Sequence, residues 1–331
     1  MILEFIPELI KLKKELDSLV EFAFDNHILF QDTKNKAFSF FMNKEHYPKQ
    51  LANFCDYEMK AGIKGANENQ IEEKLNNIIN IFKCLNNKLI FQIEYAKKLS
   101  DRLISGKTQS IIAEKSFITK LKAEAGVTYV SRMTSMIQDL DSSKVEMEVY
   151  KSKTTHKGFP NGIQLNVQVL QHGAWEIDKN RFDKLDLPLF LNTMKEDFCT
   201  FYYGRHKNHK LSWAYGLGNV DIKYLQLNKE YQSTSTLLQL LILLTLEKYN
   251  KKSIQELSEI LGYNVNILTN EANGLIYNPL FNLKRSNTGG LILTDSTDNT
   301  DLKPESIISL NMNFIANSLK INTIPTNIKV Y

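Results

Sequence analysis

The sequence predicts a mainly α protein with one small α/β unit, arranged as a helical bundle over residues 1–150, an α/β unit over 160–233 and a winged-helix unit over 234–331. Three observations predict this. The apolar residues follow a helical period almost without interruption from Ile2 to about Tyr150. A segment rich in turn formers, KSKTTHKGFPNG at Lys151 to Gly162, then ends that pattern, and the period changes to two. From Thr236 the order becomes three helices followed by a β-hairpin, which is winged-helix order.

Within the first part, breaks at NKEHYPKQ, KAGIKGANEN and SGKTQS divide long helices joined by short loops, the pattern of an antiparallel bundle. In the last of these segments Ala113, Phe117, Ile118, Leu121 and Ala125 make one buried stripe, with Lys115 and Lys122 turned away. In the second part IQLNVQVL reads as a strand, LPLFLNTMKEDFCTFYYGRH as a helix, and KLSWAY, VDIKYLQL and KEYQSTS as strands of a meander. In the third part LLQLLILLTL is a buried helix, and Ser253 with Glu256 makes a capping box that opens SIQELSEIL. The helix NVNILTNEANGLI, a short strand FNLKR, a turn-rich SNTGG and the strands LILT and IISLNMNF follow.

A chain of 331 residues supports about two or three compact units. Its 43% hydrophobic and 24% charged content is that of a globular protein, and no apolar run approaches the roughly 18 residues that span a bilayer. The start carries no basic-apolar-small secretory pattern, so an intracellular site is expected. Cys55, Cys84 and Cys199 are too widely spaced for a disulfide framework or a Cys-x-x-Cys site and read as core thiols. The net charge of +4 is small, but Tyr95 to Lys122 holds seven Lys/Arg against two acids, a solvated face or a docking surface for an acidic partner.

Candidate chemistry is sparse. The Gly-Lys-Thr of ISGKTQS ends like a phosphate-binding loop, but Asp101 occupies the place of its first glycine and the preceding residues read as helix, so it is read as an inter-helix turn. His206 and His209 form the one close histidine pair; lysines and an arginine flank them and no acid or cysteine of ligand spacing accompanies them, so no metal site is expected. GLGN at Gly216 to Asn219 lacks a third glycine and reads as a turn. No nucleophile elbow is present, and residue chemistry favours a non-enzyme without cofactor or small-molecule substrate. Winged-helix order raises nucleic-acid binding as an alternative, although VNILTNEANG contains no Lys or Arg to meet phosphate.

The stretch FQIEYAKKLSDRLISGKTQSIIAEKSFITKLKAEAG, Phe91 to Gly126, resembles the cullins, scaffolds of multisubunit ubiquitin ligases. The resemblance rests on aromatic-x-x-x-Tyr, Leu-x-x-Arg-Leu, the Glu-Lys of AEKS and Lys-Leu-Lys before a glycine. LQHGAWEI, FYYGRHKNHKLSW and SIISLNMNF followed by LKINTIP are similar to later cullin segments, the last two most to the elongin-linked animal branch. The resemblance implies a four-helix bundle, an α/β domain with a partly open sheet and a winged-helix domain. It implies further that the α/β domain accepts a strand from a zinc-bearing RING-box protein, which recruits the ubiquitin-conjugating enzyme, in cytoplasm and nucleus and without nucleic acid or membrane.

On that basis the sheet expected from Ile163–Leu170, Lys210–Tyr215 and Val220–Leu227 would dock the RING partner, with Val167, Val169, Leu211 and Trp213 lining the seam. Lys97, Lys98, Arg102, Lys115 and Lys122 would form a basic patch for an acidic segment of the conjugating enzyme, as similar surfaces do in cullins. Ser100-Asp101 stands where the family has Ala-Lys, which puts a negative charge into that region, Ala125 replaces a usual cysteine, and Asn208-His209 departs from Gly-Arg before Lys-Leu. The N-terminal repeats that hold substrate adaptors and the domain that accepts the ubiquitin-like Nedd8 are not represented in these residues. A reduced cullin that sequesters the RING partner is therefore a further reading.

Overall fold

The computed structural model describes residues 2–42, 44, 46–154, 162–175, 177, 185–226, 229–276, 290–294, 302–315 and 318–324. The protein is mainly α with a small β component, and it divides into two compact units, one of residues 1–158 and 162–176, the other of 159–161 and 177–331. In the first unit the helices are α1 (Ile2–Phe24), α2 (Ile28–Phe41), α3 (His46–Tyr57), α4 (Glu68–Lys83), α5 (Lys88–Ile104), α6 (Ile111–Ala125) and α7 (Val127–Thr154). The NKEHYPKQ break is shorter than expected. α3 already starts at His46, because Pro48 in the first turn sacrifices no intrahelical N–H bond. The next break begins as a π-turn, Glu58–Gly62.

Capping explains where several helices start. Asn67 and Gln70 exchange side-chain to backbone bonds of 2.9 and 3.1 Å at the head of α4, and Ser110 Oγ accepts from Ala113 N–H at 3.2 Å at the head of α6. Gly126, at φ +91°, ends α6 in a conformation that a Cβ would strain. The expected α6 stripe is buried at Ala113, Phe117, Ile118 and Leu121. It packs into an aromatic core in which the rings of Phe82 and Phe91, Phe91 and Tyr95, and Tyr95 and Phe117 lie 5.1, 5.5 and 5.2 Å apart.

The second unit comprises α8 (Leu189–Arg205), β1 (Asn219–Gln226), β2 (Lys229–Thr236), α9 (Leu237–Tyr249), β3 (Lys251–Ser253), α10 (Ile254–Leu261), α11 (Val265–Ile276), β4 (Ile292–Thr294), β5 (Ile307–Leu310) and β6 (Lys320–Asn322). Two three-stranded sheets have the orders β1-β2-β6 and β3-β5-β4. β1 and β2 are antiparallel with Tyr224 opposite Tyr231, and β6 runs parallel to β2. The Ser253–Glu256 capping box is formed in full, with bonds of 3.1 and 2.8 Å. The apolar α9 fills the core with Leu238, Leu241, Ile242 and Leu246, against Leu257 of α10 and Leu268, Ala272 and Leu275 of α11. α9 to α11 with β4 and β5 give the winged-helix order; FNLKR lies outside the described residues.

Two of the strands expected in the α/β unit require correction. Ile163–Leu170 is extended but pairs with no strand among the described residues, and it packs in the first unit, on α7. Lys210–Ala214 forms no strand and leads into a 3-10 turn, Tyr215–Leu217. Of the four expected strands, VDIKYLQL and KEYQSTS are made, as β1 and β2. Alternating apolar residues identify a pleated segment, but they do not say whether its neighbour is a strand or a helix.

Candidate partner-docking surfaces

Residues 162–171 show the period-two exposure of an edge strand: Ile163, Leu165, Val167 and Val169 are half-buried, whereas Gln164, Asn166 and Gln168 are exposed. The inner support is helical. Val167 N–H donates to Met147 Sδ at 3.3 Å, and Ser143 Oγ accepts from Val169 N–H at 2.8 Å while donating to the same residue's carbonyl at 3.0 Å. Asp139 Oδ2 accepts from Gln171 N–H and from Trp175 Nε1, both at 2.7 Å, and Arg132 Nε donates to the Ala174 carbonyl at 2.7 Å. Asp139, Ser143 and Met147 repeat every four residues, so one face of α7 presents all three. That spacing was visible in the sequence, without anything to mark its target.

The four residues expected to line one seam are not brought together in a described sheet. Val167 and Val169 belong to the first unit, Leu211 and Trp213 to the second. Leu211 N–H donates to Tyr203 Oη at 3.1 Å, and Trp213 meets Phe198 of α8 edge-on at 6.1 Å between ring centroids. Both therefore brace α8. β1 is the edge of its own sheet, with Leu225 74% exposed.

The basic stretch is also smaller than its sequence implies. Arg102 is fully buried and cannot serve a surface patch. Its Nε and Nη2 donate to the two oxygens of Glu114, both at 2.9 Å, and Nη1 donates to Asp56 Oδ1 at 2.8 Å. Tyr95 Oη donates to Glu114 at 3.0 Å and Thr108 Oγ1 at 2.5 Å. Burial works against the guanidinium charge, yet the Tyr95 oxygen, Glu114 and Asp56 hold its pKa above the ordinary arginine value. Burial, then Glu114, pushes the Tyr95 phenol far up, so it stays neutral and the charge facing Arg102 is that of the two carboxylates. Arg102 continues the buried 91-95-99 stripe of α5 at helical spacing, the one sequence signal that placed it inside. Lys97 and Lys122 are exposed and Lys98 is half-buried, while Lys115 is paired with Asp141 at 2.8 Å. Exposed Asp101 lies in the field of Lys97, Lys60 and Lys98.

The Gly-Lys-Thr segment is the turn between α5 and α6. Gly106 has φ +64°, Lys107 points to solvent and Thr108 points inward to Glu114, so its loop is shaped by the buried ion pair. In the second unit the His206 and His209 rings stack at 5.1 Å, and His209 Nδ1 lies 2.9 Å from Tyr202 Oη. Among the described residues no group of three or more His, Cys, Asp or Glu is gathered as metal ligands would be. Burial raises the Cys55 thiol far above its usual range, which leaves it inert. α11 buries Glu271, which accepts from Thr236 Oγ1 at 2.7 Å, and carries no Lys or Arg. It is a packing helix rather than a cationic reading head. Among the described residues no helix is long and apolar enough to cross a membrane.

Among the described residues, the first unit thus carries an extended segment held on a helix without a strand neighbour, and the second unit has winged-helix order. Comparison with known proteins then gives the family of the chain. The cullin alpha solenoid domain model matches residues 2–147, and the cullin alpha+beta domain model matches residues 169–314. Cullin-4A of Mus musculus is 31% identical over 263 residues, covering 78% of this chain and 34% of the relative. Cullin-3A of Arabidopsis thaliana is 30% identical over 262 residues, covering 78% and 35%, and Cullin-3 of Dictyostelium discoideum 28% over 282 residues, covering 82% and 36%. The chain belongs to the cullin family, and it spans about a third of the length of the curated relatives it matches.

Proposed function

We propose that this chain is a non-catalytic scaffold of a cullin–RING E3 ubiquitin ligase, working in cytoplasm and nucleus. It takes up an extended segment of a zinc-bearing RING-box protein, and that protein holds the ubiquitin-charged conjugating enzyme near substrate. The observation that carries the reading is the extended segment at Ile163–Leu170, whose backbone has no strand partner among the described residues. An open edge supplies main-chain donors and acceptors at strand spacing, and strand addition needs little more from side chains than a compatible apolar face. Membership of the cullin family supports the same partner class.

Docking of the conjugating enzyme draws on what remains of the basic surface, Lys97, Lys98 and Lys122, with Asp101 set against it. In this reading the protein contributes proximity, and the chemistry belongs to the recruited enzyme. The test is retention of purified RING-box protein by the whole chain, run beside a DNA titration at several salt concentrations. Stoichiometric retention with weak DNA binding is expected. Failure to retain a RING-box protein, together with steeply salt-dependent DNA binding, would sink the scaffold reading in favour of a nucleic-acid binder.

A further inference from the structure

Among the described residues 24 large apolar side chains are exposed, and nine of them lie on the α1–α2 hairpin, about an eighth of the chain. Exposed apolar residues scattered singly are ordinary, whereas such a concentration marks a surface that meets something. α2 shows how it is organised. Its inner side is held on α1, where Phe38 is buried with Lys13 Nζ 5.5 Å from its ring centroid and Lys34 pairs with Asp17. On the opposite side Leu29, Thr33, Lys36 and Phe40 follow at spacings of four, three and four, the seam of a helix that packs on another helix. All four are exposed, Leu29 to 66% and Phe40 to 85%. Thr33 Oγ1 donates to the Leu29 carbonyl at 2.7 Å, so its polarity is spent within the helix.

We propose that α2 is a self-association surface, through which two copies of this chain pair across a two-fold axis with their α2 helices antiparallel. The order along the seam is apolar, polar, polar, apolar, the same from either end. An unrelated partner does not require that symmetry. A second copy does, because in an isologous contact each position meets the one equally far from the axis on the other side. With the axis at the helix midpoint, between Lys34 and Asn35, Leu29 meets Phe40 of the second copy and Thr33 meets its Lys36, each twice over. Charge fixes the direction. Asp32 and Lys36 are exposed and form no ion pair among the described residues. Antiparallel packing brings Lys36 within one residue of the other copy's Asp32, whereas parallel packing sets Lys36 on Lys36 and Asp32 on Asp32. Area fixes the strength. The seam of a 14-residue helix falls short of the roughly 800 Å² that each partner gives to a standard interface, so the dimer is weak, with a Kd of about 10–100 µM.

Sedimentation velocity of the whole chain, run from about 1 to 200 µM at low and at physiological salt, tests this independently of RING-box binding. A monomer–dimer equilibrium is expected. Phe40→Ser and Leu29→Ser change exposed positions and should each weaken it by at least about tenfold, with helical circular dichroism unchanged. Lys36→Asp should weaken it several-fold at low salt, by setting an aspartate beside the other copy's Asp32, and adding Asp32→Lys should restore it. A chain that stays monomeric throughout, or a dimer untouched by Phe40→Ser, would overturn the proposal. A dimer that needs Phe40 but is indifferent to Lys36→Asp would overturn the antiparallel register. A monomer that floats with neutral phospholipid vesicles, and no longer does so as Phe40→Ser, would assign the seam to a lipid surface instead.

Discussion

Arg102 shows how much one side chain can be mistaken when charge is read without period. In the list of cations between Tyr95 and Lys122 it counts as one more surface charge, yet helical spacing from Phe91, Tyr95 and Leu99 puts it on the buried stripe. There it ties α5 to α6 through Glu114 and to α3 through Asp56. Removing it leaves a fully buried Glu114 without its cation, so Arg102→Ala should cost about 3–5 kcal/mol in urea denaturation. Replacing the pair together, as Arg102→Met with Glu114→Leu, should cost clearly less, because no buried charge is then stranded. Equal losses in the two variants would show that packing of the guanidinium stem, rather than charge pairing, is what the bundle needs. The same pair explains Thr108: its hydroxyl is spent on Glu114, which is why a Gly-Lys-Thr sequence here makes a turn and no phosphate cradle.

Among the elements, helix starts were the most legible, because a cap is a local event. Ser253 with Glu256 forms the box its spacing announces. At α9 the box of Thr236 and Gln239 does more than cap. Thr236 Oγ1 also donates to the buried Glu271 of α11, and Gln239 Nε2 donates to the Glu271 and Thr323 carbonyls at 3.1 and 2.7 Å. One turn thus joins α9, α11 and the end of β6. Thr236→Ala should destabilise the protein by about 1–2 kcal/mol, most of it lost as a cap, and Thr236→Ser should recover the larger part; chemical denaturation followed by α-helical circular dichroism measures both. Strands were less legible. β1 and β2 are long and pair with each other in sequence order, whereas Ile163–Leu170 and Lys210–Tyr215 have strand composition without a strand neighbour among the described residues. β5 covers only Ile307–Leu310 of the expected IISLNMNF, because Asn311 turns inward, donating through Nδ2 to the Gly290 carbonyl at 2.7 Å, and the chain bends after it.

At the scale of the molecule the charge distribution belongs to association kinetics rather than to fold. With Arg102 buried and Lys115 paired to Asp141, Lys97 and Lys98 carry the exposed field of α5, partly cancelled by Asp101. Reversing both to glutamate should slow recruitment of an acidic conjugating enzyme several-fold at low salt and have little effect near physiological ionic strength, where the Debye length is about 8 Å. A stopped-flow association series across salt concentrations measures this, and an unchanged low-salt rate would assign the lysines to simple solvation. The cullin pattern itself was readable in the residues, since Tyr95, Leu99, Arg102, Glu114 and the Lys-Leu-Lys of α6 keep an order that survives without coordinates. So were the helical bundle, the capped start of α10, and the three-helix-plus-hairpin order, because each depends on neighbours within a few turns of chain. The tertiary structure alone decided which carboxylates meet Arg102, that Val167 and Val169 lie on α7, and that Leu211 and Trp213 brace α8. Each of those outcomes depends on a partner in another element, from 8 residues away for Leu211 and Tyr203 to 46 for Arg102 and Asp56, and a local apolar pattern specifies that a face will be covered without specifying by what.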